Sequence, residues 1–148
     1  MHADTSQLAD RLVVKRARIA QTLGILFIAL MVTTPHDDRL LDRPQALHLV
    51  AWFAWAIMLV LFLATGGGLL RSRQVRAVMN DESTRDHRLR ALAAGFWTAN
   101  GCALFLYILS FVGDTISVSE ATRLIVTLSI GFALIHFGWL EKKALGES

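Results

Sequence analysis

Four long stretches without any Asp, Glu, Lys or Arg dominate the sequence. They run over residues 19–36, 44–70, 91–113 and 124–140, and together they hold 85 of the 148 residues. A helix needs about 20 mostly apolar residues to cross the hydrocarbon core of a bilayer. We therefore expect an all-α, polytopic membrane protein, a four-transmembrane-helix bundle with little apolar sequence left for a soluble domain.

The composition agrees with lipid as the main solvent. Hydrophobic residues make up 54% of the chain, charged residues make up 18%, and the mean hydropathy is +0.47. Cys102 is the single cysteine, which excludes an intramolecular disulfide, a thiol relay and a cysteine-based metal cluster. The sequence groups no nucleophile with a base and no set of metal ligands, so we expect no enzyme, no cofactor and no metal.

The basic residues fall mainly on one side of the predicted spans. Twelve of the 15 lie in the head, the middle connection or the tail: Arg11, Lys15, Arg16, Arg18, Arg71, Arg73, Arg76, Arg85, Arg88, Arg90, Lys142 and Lys143. Positively charged loops stay on the cytoplasmic side of a membrane. We therefore expect an up-down bundle with both termini in the cytoplasm, and topology rather than nucleic-acid binding explains the net charge of +3.

We expect one membrane domain. Its parts are a head at 1–18, spans at about 19–35, 45–66, 91–112 and 120–140, and a cytoplasmic loop at 67–90. Asn80 to Ser83 form a typical helix start, and no Pro follows them. A helix from Asp81 to Val112 would be about 48 Å long, against a hydrocarbon core of about 30 Å. The third helix is therefore expected to extend into the cytoplasm.

The run from Arg76 to Trp97 contains Asn80-Asp81-Glu82-Ser83-Thr84-Arg85 just before the third apolar stretch. It resembles a segment of small, uncharacterised bacterial inner-membrane proteins with four predicted helices. The resemblance covers about a seventh of the chain. It implies a bacterial inner-membrane location and a charged cytoplasmic segment at 71–90. Some of those proteins look to be encoded beside small helix-turn-helix regulators, which would imply a membrane sensor that sequesters such a regulator.

His136 and Gln21 are polar residues at similar depth in the fourth and first spans. A polar group inside a membrane needs a partner, and the first and last helices of an up-down bundle are neighbours. We therefore expect a hydrogen bond between these two side chains. Haem ligation by His136 is the alternative, but neither His48 nor His87 lies at a matching depth for the second axial position.

Two further polar residues are expected to have structural roles. Asn100 falls near the middle of the third span among small residues, which favours a hydrogen bond between helices. Arg123 follows Glu120 by three residues at the outer end of the fourth span, which favours a surface pair. A site for an anionic lipid head or a small ligand at Arg123 is the alternative.

Trp55 lies too deep in the second span for an interfacial aromatic belt. Such a residue usually packs between helices. The alternative is an aromatic groove that holds an isoprenoid, quinone or carotenoid tail.

The sequence favours a non-catalytic membrane accessory or regulatory subunit. Its expected partner is another protein or a second copy, bound through a span surface or through charged residues of the 71–90 segment. The candidates for that contact are Arg76, Asp81, Glu82, Arg85, Arg88 and Arg90. The alternatives are a binding or permease-like protein for a small molecule, lipid, isoprenoid or quinone, and the sensor that sequesters a regulator.

Overall fold

A computed structural model describes the backbone of residues 2–33, 43–65, 82–111 and 116–146, and the side chains of 13–31, 50–65, 84–111 and 116–144. In these ranges the chain forms four α-helices and no strand. They are α1 (His2–Thr33), α2 (Arg43–Thr65), α3 (Glu82–Leu109) and α4 (Val118–Gly146). The prediction of an all-α fold is confirmed.

The helix ends follow local signals in the sequence. The head at 1–18 and the first apolar stretch form one continuous helix from residue 2. α2 begins one residue before Pro44, because a proline in the first helical turn loses no intrahelical hydrogen bond. α3 begins at Glu82, nine residues before its apolar stretch. Residues 67–81 of the predicted 67–90 loop lie outside the described residues.

α4 begins with a reciprocal capping box. The Glu120 amide donates to Ser117 Oγ at 3.3 Å, and Glu120 Oε2 accepts from the Ser117 amide at 3.1 Å and from Ser117 Oγ at 2.9 Å. This exchange satisfies amide groups that the first turn of a helix leaves unpaired. Glu120, which the sequence pairs with Arg123, therefore caps its own helix.

α4 is the central helix, and α1 packs against it through closely approaching backbones. A Cβ added to Gly24 would lie 2.7 Å from the carbonyl oxygen of Gly131, and one added to Gly138 would lie 2.6 Å from that of Ala17. The small residues repeat every seven positions on both helices. Because Gly24 lies opposite Gly131 and Ala17 lies opposite Gly138, α1 and α4 are antiparallel neighbours, as predicted.

α3 packs on another side of α4. A Cβ added to Gly95 would lie 3.0 Å from both Ala133 Cβ and the carbonyl oxygen of Ser129. α2 completes the core, where Trp52 stacks on Phe27 with ring centroids 6.2 Å apart. The buried core residues are Ala20, Phe27, Ala56, Leu59, Leu63, Ala91, Ala133, Leu134 and Phe137.

Large apolar side chains cover much of the surface. Trp97, Leu104 and Phe111 are 72%, 64% and 71% exposed, and further exposed apolar residues lie on every helix. Among the described residues, two segments are long and apolar enough to cross a membrane, Thr84–Leu109 and Val118–Ala144. The apolar segment Val50–Thr65 of α2 is shorter.

Candidate functional site

A buried ion pair joins three helices at one end of the bundle. Arg16 on α1 donates through Nε to Glu141 Oε2 on α4 at 3.1 Å, and Arg16 Nη2 donates to the same oxygen. The side chains are 6% and 2% exposed. Arg16 Nη2 also donates to Thr84 Oγ1 on α3 at 3.3 Å. A charge this deeply buried is tolerated only when it is paired and hydrogen-bonded, so the cluster holds the three helices in register.

Two aromatic groups complete the surroundings of the pair. The Arg16 guanidinium lies 5.6 Å from the centroid of the Phe137 ring, a cation–π contact. His87 Nδ1 lies 3.7 Å from Oε1, the other carboxylate oxygen of Glu141. With its carboxylate enclosed by three helices, Glu141 is placed to fix the bundle rather than to meet a substrate from solution.

Exposed basic side chains surround this cluster on the same three helices. We call them the basic end: Lys15, Arg18, Arg85, Arg90, Lys142 and Lys143. Arg90 Nε pairs with Asp86 Oδ2 at 2.8 Å, one helical turn away. Lys143 Nζ lies 5.6 Å from the centroid of the Trp139 ring. Three basic segments that are distant in the sequence therefore share one end of the molecule.

The candidate partner-binding residues divide into three groups. Arg76 and Asp81 lie outside the described residues, and Glu82 is described only by its backbone. Arg85 and Arg90 are exposed. Arg88 instead turns toward α2, where its Nη2 donates to the carbonyl oxygen of Ala64 in the last turn of that helix. A cation is favourable at the carboxyl end of a helix, so Arg88 caps α2.

The predicted hydrogen bond between His136 and Gln21 is wrong. His136 stacks between Phe132 and Trp139, with centroid distances of 6.4 and 5.9 Å, and its Nδ1 meets no hydrogen-bond partner in the part of the chain that the structure describes. Gln21 packs against Gly138. Residues 136 and 138 are about 200° apart around a helix. Gly138 faces α1, so His136 points away from α1 although it lies at a depth similar to that of Gln21.

Asn100 links no two helices within the part of the chain that the structure describes. Its Nδ2 donates to the carbonyl oxygen of Phe96 on the same helix at 2.8 Å, and the side chain is exposed. The neighbouring Gly101 has no atom within 4 Å of an added Cβ. Asn100 and Gly101 therefore lie on a face of α3 that the described helices leave uncovered.

The remaining candidates lie at the opposite end and in the core. The Arg123 guanidinium lies 5.9 Å from the centroid of the Trp52 ring. Trp55 packs against the core, and its buried Nε1 has no hydrogen-bond partner in the described ranges. Across those ranges, no three residues among His, Cys, Asp and Glu lie close enough to hold a metal ion.

Sequence reasoning missed the central pair. The sequence pattern predicts only a topology signal at Arg16 and no role for Glu141. A usable signal was present, because Arg16 precedes the first stretch by three residues and Glu141 directly follows the fourth. In antiparallel neighbours these two positions lie at similar depth.

No protein-family model, curated protein or solved structure matches this chain.

Proposed function

We propose that this chain is a non-catalytic subunit of the bacterial inner membrane, which crosses the bilayer four times and docks a partner protein on its cytoplasmic basic end. The observation that carries the proposal is the division of the surface. Apolar side chains are exposed along the helices, and exposed basic side chains gather at one end.

The apolar surface supports membrane embedding. Only 6% of the most apolar part of Thr84–Leu109 is buried inside the bundle. Water-soluble monomers rarely expose continuous apolar surface larger than a few hundred Å². Lipid tails can cover such a helix at no cost in hydration. α1 and α2 pack with the two longest apolar segments and complete a four-span bundle in this proposal.

The basic end supports a cytoplasmic orientation. Contacts of Arg16 with Thr84 and Glu141 bring the head, the start of α3 and the tail to one end. All three segments are rich in Lys and Arg, and such segments remain on the cytoplasmic side. In this orientation the amino-terminal turns of α3 project into the cytoplasm.

The partner is inferred from charge. Among the described side chains at this end, six cations are exposed but only one acid, Asp86. The carboxylate of Glu141 is buried and paired with Arg16. A surface of this kind attracts an acidic protein surface and orients its approach. The buried ion pair holds the three helices fixed, so little ordering is required on binding. A regulator of the helix-turn-helix class with an acidic docking face would be one such partner.

A photo-crosslinking residue at Leu89, which is exposed between Arg85 and Arg90, tests the docking surface. In the native host we expect a discrete adduct whose mass exceeds 16.4 kDa by that of the partner. The same residue at Ser119, at the opposite end of α4, should give no such adduct. Equal adducts from both positions, or none from Leu89, would contradict docking at the basic end.

Charge reversal at Arg85 and Arg90 is expected to weaken that docking. Arg85→Glu with Arg90→Glu should reduce the yield of the Leu89 adduct about tenfold or more, because like charges across an interface are strongly unfavourable. Both side chains are exposed, so membrane insertion should be unchanged. Arg85→Lys with Arg90→Lys is the matched control and should keep most of the yield. An equal yield from all three proteins would rule out charge as the basis of recognition.

A further inference from the structure

From Trp97 to Ile108, one face of α3 is left uncovered by the described helices. Ala91 and Gly95 face α4 and are buried. The opposite face contains residues at helical spacing that are all exposed: Trp97, Asn100, Gly101, Leu104 and Ile108. Most of this face is apolar, and lipid would cover it well. Asn100, in its middle, is the exception.

The Asn100 amide is only partly satisfied. One N–H donates to the carbonyl oxygen of Phe96 at 2.8 Å, and within the described ranges no other hydrogen bond reaches the side chain. An amide has a second N–H and a carbonyl oxygen with two lone pairs. Near the middle of a bilayer neither lipid nor water can satisfy these groups, so an uncovered Asn100 is unfavourable there.

We propose that a second copy of this chain covers this face, with α3 packed against α3 and the two Asn100 amides hydrogen-bonded to each other. The proposal rests on the membrane location proposed above. Two copies inserted with the same orientation are related by a two-fold axis normal to the membrane. Such an axis places each Asn100 at the same depth as its counterpart, and the interface is the same surface on both copies.

Two chemical features favour a second copy as the occupant. A primary amide is both donor and acceptor, so identical amides satisfy each other without another side-chain type. Gly101 leaves bare backbone beside Asn100, with no atom of its own chain within 4 Å of an added Cβ. Small residues let helix backbones approach closely, which brings the short Asn side chains within hydrogen-bonding reach.

Dimerisation in lipid vesicles, measured by energy transfer between labelled copies at varied protein-to-lipid ratio, tests the proposal. Asn100→Leu is expected to weaken the dimer about tenfold, since interhelical polar pairs in membranes contribute on this scale. Asn100→Gln should keep most of the affinity. Thr98→Val, which removes a half-buried hydroxyl bonded to its own helix at Ala94, is the matched control and should behave as the parent.

Gly101→Ile provides a steric test of the same interface. A Cβ at this position would have no atom of its own chain within 4 Å, so the helical content should be unchanged, as should the unfolding transition at dilutions where the parent is monomeric. The dimer should be lost because the backbones can no longer approach. A parent chain that remains monomeric at every ratio, or dimers that Asn100→Leu and Gly101→Ile both leave unchanged, would overturn the proposal.

Disulfide trapping locates the interface in the native membrane. In a Cys102→Ser background, Leu104→Cys should form a species of twice the monomer mass on mild oxidation. Met58→Cys, on an exposed position of α2, should not. A protein that is absent from the membrane fraction refutes the membrane location. A membrane-embedded protein that Leu104→Cys does not trap refutes only the dimer.

Discussion

Arg16→Met is expected to lower the free energy of unfolding by about 3–5 kcal/mol. The substitution leaves Glu141, which is 2% exposed, as a buried carboxylate without its main cation, and breaking a buried pair from one side has a cost of this size. Glu141→Leu should have a similar effect, because it leaves the Arg16 guanidinium buried. The measurement is reversible unfolding in mixed detergent micelles, followed by helical circular dichroism.

The double variant separates the pair from the packing of each side chain. Arg16→Met with Glu141→Leu removes both charges and keeps apolar volume, so its stability should lie much closer to the parent than that of either single variant. The coupling energy from this cycle should be favourable and exceed about 1 kcal/mol. Single-variant losses that simply add in the double variant would show that the ion pair does not act as a unit.

Gly138→Ala and Gly24→Ala are expected to destabilise the bundle by about 1–3 kcal/mol each. The added methyl groups would lie 2.6 Å from the carbonyl oxygen of Ala17 and 2.7 Å from that of Gly131. Both obstacles are backbone atoms, so α1 and α4 must move apart. The same unfolding measurement gives the loss.

Gly101→Ala is the matched control for these glycine substitutions. Its added methyl meets nothing within 4 Å, and alanine is the better helix former. Its stability should equal or slightly exceed that of the parent. If the three alanine variants were equally stable, the close approach of α1 and α4 would be refuted.

The helices could be predicted from the sequence because their determinants are local. Uninterrupted apolar stretches gave all four helices, and Pro44 marked the start of α2. The Ser117 and Glu120 spacing of a capping box is also a local signal, and the structure contains that cap. Local sequence signals are thus sufficient to predict where the helices begin and which residues they contain.

Which faces meet could not be predicted. In a soluble bundle an apolar stripe identifies the buried side of each helix. Here apolar residues surround each helix. The sequence therefore indicates how deep a residue lies in the membrane, but not how each helix is rotated about its own axis. His136 was therefore paired with Gln21 at the correct depth and on the wrong face. Arg16 and Glu141 were overlooked for the same reason, because their contact depends on how three helices are rotated.

The most direct test of the account is the sidedness of three epitope tags, placed after Ser148, within 67–81 and within 112–115. If the chain is embedded in lipid and its basic segments share one compartment, the three tags should show one pattern of accessibility. In intact spheroplasts the first two tags should be protected from antibody and protease, the third should be accessible, and alkaline carbonate should not release the protein. If the tag after Ser148 and the tag within 67–81 are found on opposite sides, or if carbonate releases the chain, the account is contradicted.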